Sequence, residues 1–213
     1  MNALILVDIQ NDFLPGGSLA VPEGNTIISV VNTMQPYFEL VVATQDWHPA
    51  NHKSFASNHT GKKPFDIIDL HGLQQTLWPD HCVQGTFGAG LAGSLNMNKT
   101  EAIFRKGTNP EIDSYSAFYD NGHRKSPGLS GYLRSKDVVE VYLAGLAGDI
   151  CVYSTALDSL AEKFTTFIIE DATRSINKHD FEKAMQNFIT KGGNVIQTAD
   201  LPEALGNNKI KKQ

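Results

Sequence analysis

The stretch Val138-Val139-Glu140-Val141-Tyr142-Leu143-Ala144-Gly145-Leu146-Ala147-Gly148-Asp149-Ile150-Cys151 decides the fold. A β-branched, apolar run from Val138 to Ala144 reads as a strand. It passes through a turn of small residues. Tyr153, Ala156, Leu157, Leu160 and Ala161 then fall on one face of a helix beginning about Asp149 or Ile150. Strand, tight turn and helix in this order form half of a βαβ unit. The same alternation extends in both directions. Strands are expected at Ala3 to Val7, at Leu40 to Ala43 running to Asp46, and at Ala102 to Phe104 running to Lys106. Phe164 to Ile169 and Val195-Ile196 complete the set. Helical spacing recurs at Ile27, Val30, Val31 and Met34, with Asn25 as cap and Pro36 as stop. It recurs again at Phe181, Ala184, Met185, Phe188 and Ile189, ended by Gly192-Gly193. This pattern predicts an α/β fold: a central parallel sheet with helices on both faces.

The chain has 213 residues, of which 41% are hydrophobic and 19% charged. Such a composition supports a real core and excludes a disordered chain, a collagen and a coiled coil. One domain over residues 1–213 is expected, with a long excursion at about 47–100 that shows little periodicity and holds five of the seven histidines. A net charge of −5 points to neither a nucleic-acid nor a membrane-surface partner. No apolar run is long enough to span a membrane. The first residues carry no basic n-region, and two cysteines make no disulfide framework. A reducing, cytoplasmic setting with free thiols is therefore expected. Self-association is left open.

In an open parallel sheet, ligands bind beyond the carboxyl ends of the strands. Asp8, Asp46, Lys106 and Cys151 all fall at such ends, so a base, an ammonium and a thiol would converge on one rim. Cys151 opens a helix, where free N–H groups and the helix dipole favour a thiolate and could hold an oxyanion. The alternative for either cysteine is a small buried hydrophobe. Cys82, after Pro79-Asp80-His81, competes as a soft metal ligand. Asp46-x-His48 places two ligands two residues apart, with His52, His59, His71 and His81 as further imidazoles. Asp with two or three His suits a divalent metal with open positions, and spacing alone does not choose the third ligand. Gly88-Ala-Gly90-Leu-Ala-Gly93 matches the dinucleotide fingerprint but lacks the preceding strand that gives that motif its meaning.

Five segments, in order, resemble the nicotinamidase family within the isochorismatase-like cysteine hydrolases. They are Leu6-Val7-Asp8-Ile9-Gln10-Asn11-Asp12-Phe13; Thr44-Gln45-Asp46-Trp47-His48-Pro49-Ala50-Asn51-His52; Leu77-Trp78-Pro79-Asp80-His81-Cys82-Val83; Arg105-Lys106-Gly107 with Asp113-Ser114-Tyr115-Ser116-Ala117-Phe118; and Gly145-Leu146-Ala147-Gly148-Asp149-Ile150-Cys151-Val152. The Asp-Trp-His-Pro and Trp-Pro-x-His-Cys wording is specific to nicotinamidases within the superfamily. The resemblance implies Asp8, Lys106 and Cys151 as a catalytic triad, and Asp46, His48 and His81 as metal ligands, with His52 a candidate fourth. Phe13, Trp78 and Tyr115 match positions that wall an aromatic pocket. Ala147 and Cys151 match the pair whose amides form an oxyanion hole, after a peptide that is typically cis. The chain departs from the family at Gly148, where Thr is usual, and at Ile150, often aromatic.

The resemblance implies hydrolysis of nicotinamide to nicotinate and ammonia through a thioester, in NAD salvage, with pyrazinamide also accepted. One divalent metal is implied, zinc ahead of iron or manganese. Two other readings stand beside it. One is an amidohydrolase acting on ureido or N-carbamoyl compounds, a group that usually lacks the Asp-x-His and Trp-Pro-x-His set. The other is a non-catalytic ligand-binding protein on the same fold.

Overall fold

A computed structural model describes residues 1–210, with side chains described as far as residue 206. Its elements in chain order are β1 (Asn2–Val7), α1 (Ile27–Met34), β2 (Leu40–Asp46), β3 (Ile67–Leu70), β4 (Leu73–Thr76), β5 (Thr100–Lys106), α2 (Leu129–Ser135) and β6 (Glu140–Gly145). Then follow α3 (Tyr153–Ala161), β7 (Thr165–Thr173), α4 (Lys178–Thr190), β8 (Asn194–Ile196) and α5 (Leu201–Ile210). Six strands form one sheet in the order β5-β2-β1-β6-β7-β8, and every pairing in it is parallel. This is the predicted fold class. No helix among the described residues is long and apolar enough to cross a membrane.

Strand alternation builds two cores. Leu4 and Leu6 of β1 enter one apolar cluster with α1 residues Ile27, Val31 and Met34. Ala3, Ile5 and Val7 of the same strand enter the other, with Leu133 of α2, Ala156 of α3 and Phe188 of α4. Side chains two apart point to one face. With both faces covered, β1, β2 and β6 read as continuous apolar runs rather than alternating ones.

The chain starts in the middle of the sheet, adds β2 and β5 on one side, then returns to lay β6 against the other edge of β1. The strand order therefore reverses between β1 and β6, and a crevice opens beyond their carboxyl ends. Asp8 follows β1 and Cys151 lies just beyond β6. Val7 pairs with Gly145, and a Cβ at Gly145 would lie 2.1 Å from the Val7 carbonyl oxygen. With φ +135° as well, the position requires glycine.

The excursion is more ordered than its composition suggests. It contains the antiparallel hairpin β3–β4, whose His71 and Gly72 both take positive φ, as a primed two-residue turn demands. Gly88 and Gly90 serve a packing role. Their carbonyls accept the amides of Asp12 and Asn11 at 3.0 and 2.9 Å, so the glycine stretch docks the segment after β1. The α1 cap also differs: Thr26, not Asn25, occupies the N-cap, preceded by a 3-10 turn at Gly24–Thr26.

Candidate active site

Lys106, the last residue of β5, is 2% exposed. Its Nζ lies 2.5 Å from Asp46 Oδ1 and 2.8 Å from Asp8 Oδ2. It donates to the Ser114 carbonyl at 3.0 Å and lies 3.5 Å from Cys151 Sγ. Oxygens of Asp8 and Asp46 and the Cys151 sulfur all fall within 4.8 Å of one another. The four strand-end residues thus meet, as the sequence predicts. Register does part of this work, because Asp46 and Lys106 are direct partners across the β2–β5 ladder. Asp8 sits in left-handed backbone at φ 49°. Thr44 Oγ1 holds it by donating to Asp8 Oδ1 at 2.5 Å and accepting the Asp8 amide at 3.1 Å.

Burial dominates the electrostatics of this cluster. It pushes the Asp8 carboxyl up, and the Lys106 charge opposes the push without cancelling it. Burial would also discharge Lys106, but Asp46 and Asp8 outweigh that effect and hold it as an ammonium well above its ordinary range. Asp46 is pressed upward by burial too, yet Lys106, His48 and His81 together hold it well below the carboxylate range. Cys151 is shifted away from the thiolate expected of it. Burial pushes the thiol well above its ordinary value, Lys106 opposes, and the carboxylates Asp8 and Asp46 add to the rise. The helix dipole is also less direct than the sequence implies: Cys151 lies in a π-turn at Gly148–Val152, and the α-helix proper starts at Tyr153.

Asp46 turns its other oxygen toward two imidazoles, with Oδ2 at 3.5 Å from His48 Nε2 and 3.9 Å from His81 Nε2. Each ring has its Nδ1 against a backbone carbonyl, that of Gly107 at 2.9 Å for His48 and that of Pro79 at 2.8 Å for His81. A carbonyl can only accept, so in the neutral ring each Nδ1 carries the proton and each Nε2 presents a lone pair. Outer hydrogen bonds of this kind orient metal-binding histidines. Burial, then His48, pulls His81 down to about 4, keeping it in the neutral ligand form. At His48 burial acts downward as well, but Asp46 prevails and raises it. Phe55 packs against the rings of His48, His52 and His81 at 5.4–5.7 Å. Asp46, His48 and His81 therefore form a buried set able to hold a divalent metal. His52 falls into a different set, with His48 and Asp113.

Gln10 ties the two halves together. Its Nε2 donates to the Asp46 carbonyl and its Oε1 accepts the Asp46 amide, both at 2.8 Å. Asp12 accepts the Cys82 amide at 2.7 Å, fixing the loop that carries His81. Cys82 is fully buried, and burial pushes its thiol well up.

A small pocket brings the groups together. Phe13, Trp78 and Tyr115 line it together with Cys151, Ala147, Asp46 and His81. Tyr115 is anchored through its hydroxyl, which accepts from Trp78 Nε1 and Gln75 Nε2 at 3.2 Å each. The Leu146–Ala147 peptide is cis. Of the other lining residues, Leu19 and Ile176 carry no recognisable signal in the sequence, while Asp113 and Ile150 fall within the matching segments without an assigned role. The departure at Gly148 has a local cause. A Cβ there would lie 2.7 Å from the Phe181 ring and 2.8 Å from Thr173 Cγ2, so Phe181 of α4 fills the space that a threonine would need. The Gly148 amide donates to the Arg174 carbonyl at 2.7 Å, and this bond steadies the loop.

The isochorismatase domain model matches residues 2–200. The chain is 45% identical over 210 residues to the nicotinamidase of Escherichia coli, covering 96% of this chain and 98% of that protein. Its structure is similar to a nicotinamidase/pyrazinamidase of Acinetobacter baumanii, with TM-score 0.92, 47% identity, and coverage of 94% of this chain and 97% of that one. It is also similar to a pyrazinamidase of Pyrococcus horikoshii in complex with zinc, with TM-score 0.76, 38% identity, and coverage of 92% and 98%.

Proposed function

The chain belongs to the isochorismatase family, in its nicotinamidase branch, and from that membership we propose that it converts nicotinamide to nicotinate and ammonia through a thioester on Cys151. The observation that carries this reading is the single cavity bounded by Cys151, by the Asp46 and His81 ligands, and by the rings of Phe13, Trp78 and Tyr115. A flat aromatic amide needs all three at once. The Asp46, His48 and His81 set favours this substrate over ureido compounds.

In the proposed sequence, the Cys151 proton passes to Asp8 as the sulfur attacks the carboxamide carbon. Asp8 is suited to accept it, because burial raises its carboxyl above the ordinary carboxylate value. The Lys106 ammonium, 2.8 Å from Asp8 and 3.5 Å from the sulfur, stabilises the negative charge as it moves between them. The amides of Ala147 and Cys151 receive the carbonyl oxygen as it becomes anionic, at about 3 kcal/mol per donor. Asp8 returns the proton to the departing nitrogen, and ammonia leaves. Asp8 then takes a proton from water as that water attacks the thioester and gives it to the departing Cys151 sulfur, restoring thiol and carboxylate, and the acid leaves as nicotinate with its proton passed to solvent. Asp46, His48 and His81 would hold a divalent metal that, when bound, supplies a Lewis-acid contact for the pyridine nitrogen. The zinc-bound Pyrococcus relative supports zinc as that metal. Holding the ring by its nitrogen fixes the carboxamide relative to the sulfur.

An ammonia-release assay tests the reading. Nicotinamide and pyrazinamide are expected as substrates, with benzamide lower in kcat/KM by at least about 100-fold because it has no ring nitrogen. Chelation is expected to narrow that gap. Equal efficiency on benzamide would remove the metal from substrate binding. No ammonia from nicotinamide in the metal-loaded protein would overturn the function.

A further inference from the structure

The segment between β7 and α4 reaches the cavity with one side chain, Ile176, which is half-buried and lines the wall near Leu19 and Ile150. Residues 174–177 have no regular structure, so their position depends on specific bonds. The main-chain N–H bonds of Arg174, Ile176 and Asn177 lead to the turn that carries Cys151, while the Arg174 guanidinium donates to the Asp171 and Thr173 carbonyls. Arg174 donates its amide to the Gly145 carbonyl at 3.3 Å and accepts the Gly148 amide at 2.7 Å. Asp149 takes two further amides, with Ile176 N–H on Oδ1 at 3.1 Å and Asn177 N–H on Oδ2 at 2.8 Å. Both carboxylate oxygens are used on this one loop. Asn177 in turn caps α4 by accepting the amides of His179 and Asp180. The wall and the nucleophile are thus held against each other by one side chain two positions from the cysteine.

We propose that Ile176 is a specificity-determining residue that limits which ring substituents the cavity admits, and that Asp149 is the positioning residue that holds it there. The proposal rests on the nicotinamide reading and extends it to ring-substituted pyridine carboxamides. Ile176 offers no hydrogen bond, charge or nucleophile, so its effect on a substrate is one of volume. A β-branched side chain is stiff, and on a loop latched at both flanking amides it has little room to yield. An apolar wall of this kind discriminates by about 10–200-fold for one methylene.

The test measures kcat and KM for nicotinamide and for its 2-, 4-, 5- and 6-methyl derivatives, using Ile176→Ala, Ile176→Val, Asp149→Ala and Asp149→Asn in the metal-loaded protein. Each derivative is read as a ratio to nicotinamide in the same variant, so a general loss of folded protein cancels. Ile176→Ala is expected to raise that ratio at least about tenfold for one or more isomers, chiefly through KM. Ile176→Val, which keeps the β-branch and removes a single methylene, is expected to raise that ratio less than Ile176→Ala does. Asp149→Ala is expected to shift preference toward the same isomers, and Asp149→Asn, with one acceptor oxygen left, to shift it less. Unchanged ratios for all four isomers in Ile176→Ala would overturn the wall. A uniform fall in kcat with unchanged ratios in both Asp149 variants would overturn the latch. Failure of the parent chain to hydrolyse nicotinamide would instead refute the functional reading beneath both.

Discussion

Cys151→Ala is expected to slow ammonia release from nicotinamide by more than about 10⁴-fold, as loss of a nucleophile that works as a unit with its base does elsewhere. The fold and metal content are expected to persist. The sulfur is 6% exposed at the residue level, and the Ala147 carbonyl that shapes its turn accepts the amides of Ile150 and Val152 at 3.1 Å, bonds that the substitution leaves alone. Removing the thiol also removes a group that burial drives to its neutral form, so no stranded charge results. Circular dichroism and metal analysis on the same sample separate loss of chemistry from loss of structure. Substantial residual turnover would take the nucleophile role away from Cys151.

Lys106→Met is expected to act on stability and on turnover together. Its ammonium neutralises two buried carboxylates at 2.5 and 2.8 Å. Methionine keeps most of the volume and deletes the charge. Breaking a buried pair from one side costs about 3–5 kcal/mol, because the partner is left charged in a medium that does not solvate it. Two partners share this cation, so the upper part of that range is expected from urea unfolding of the metal-free protein. Turnover is expected to fall at least about 100-fold from the lost electrostatic stabilisation. A variant as stable as the parent would show that Asp8 and Asp46 are neutralised by another route.

The rim residues are legible in the sequence for a physical reason. A parallel strand buried on both faces is an apolar run, and the first polar side chain after it marks the sheet edge. Asp8 is found in this way, whereas Asp46, Lys106 and Cys151 stand a few residues beyond the apolar part of their strands. His81 is different, because it stands in irregular chain where no period tells its direction; only the Trp-Pro-x-His-Cys wording picks it out. Leu19 and Ile176 are silent for the same reason: an apolar residue in a loop does not declare what it covers. The β3–β4 hairpin escapes detection because its strands have four residues each and its turn is His71-Gly72 rather than Asn-Gly. At Gly148 the sequence shows the missing threonine but not its compensation. Phe181 reads as one more apolar position of α4, and only the packing shows that its ring occupies the vacated space.

Lys106 closes β5, and β5 lies at the margin of the sheet with β2 as its sole ladder partner there. Marginal strands open more readily than central ones, at free energies below that of global unfolding. Fraying of that one strand would carry off the ammonium while β1 and β6, each flanked on both sides, stay closed. Catalytic competence is therefore expected to vanish at a lower urea concentration than the far-ultraviolet signal, and amide exchange to run faster in β5 than in β1. The protein would pass through a form that is folded, inert and able to recover.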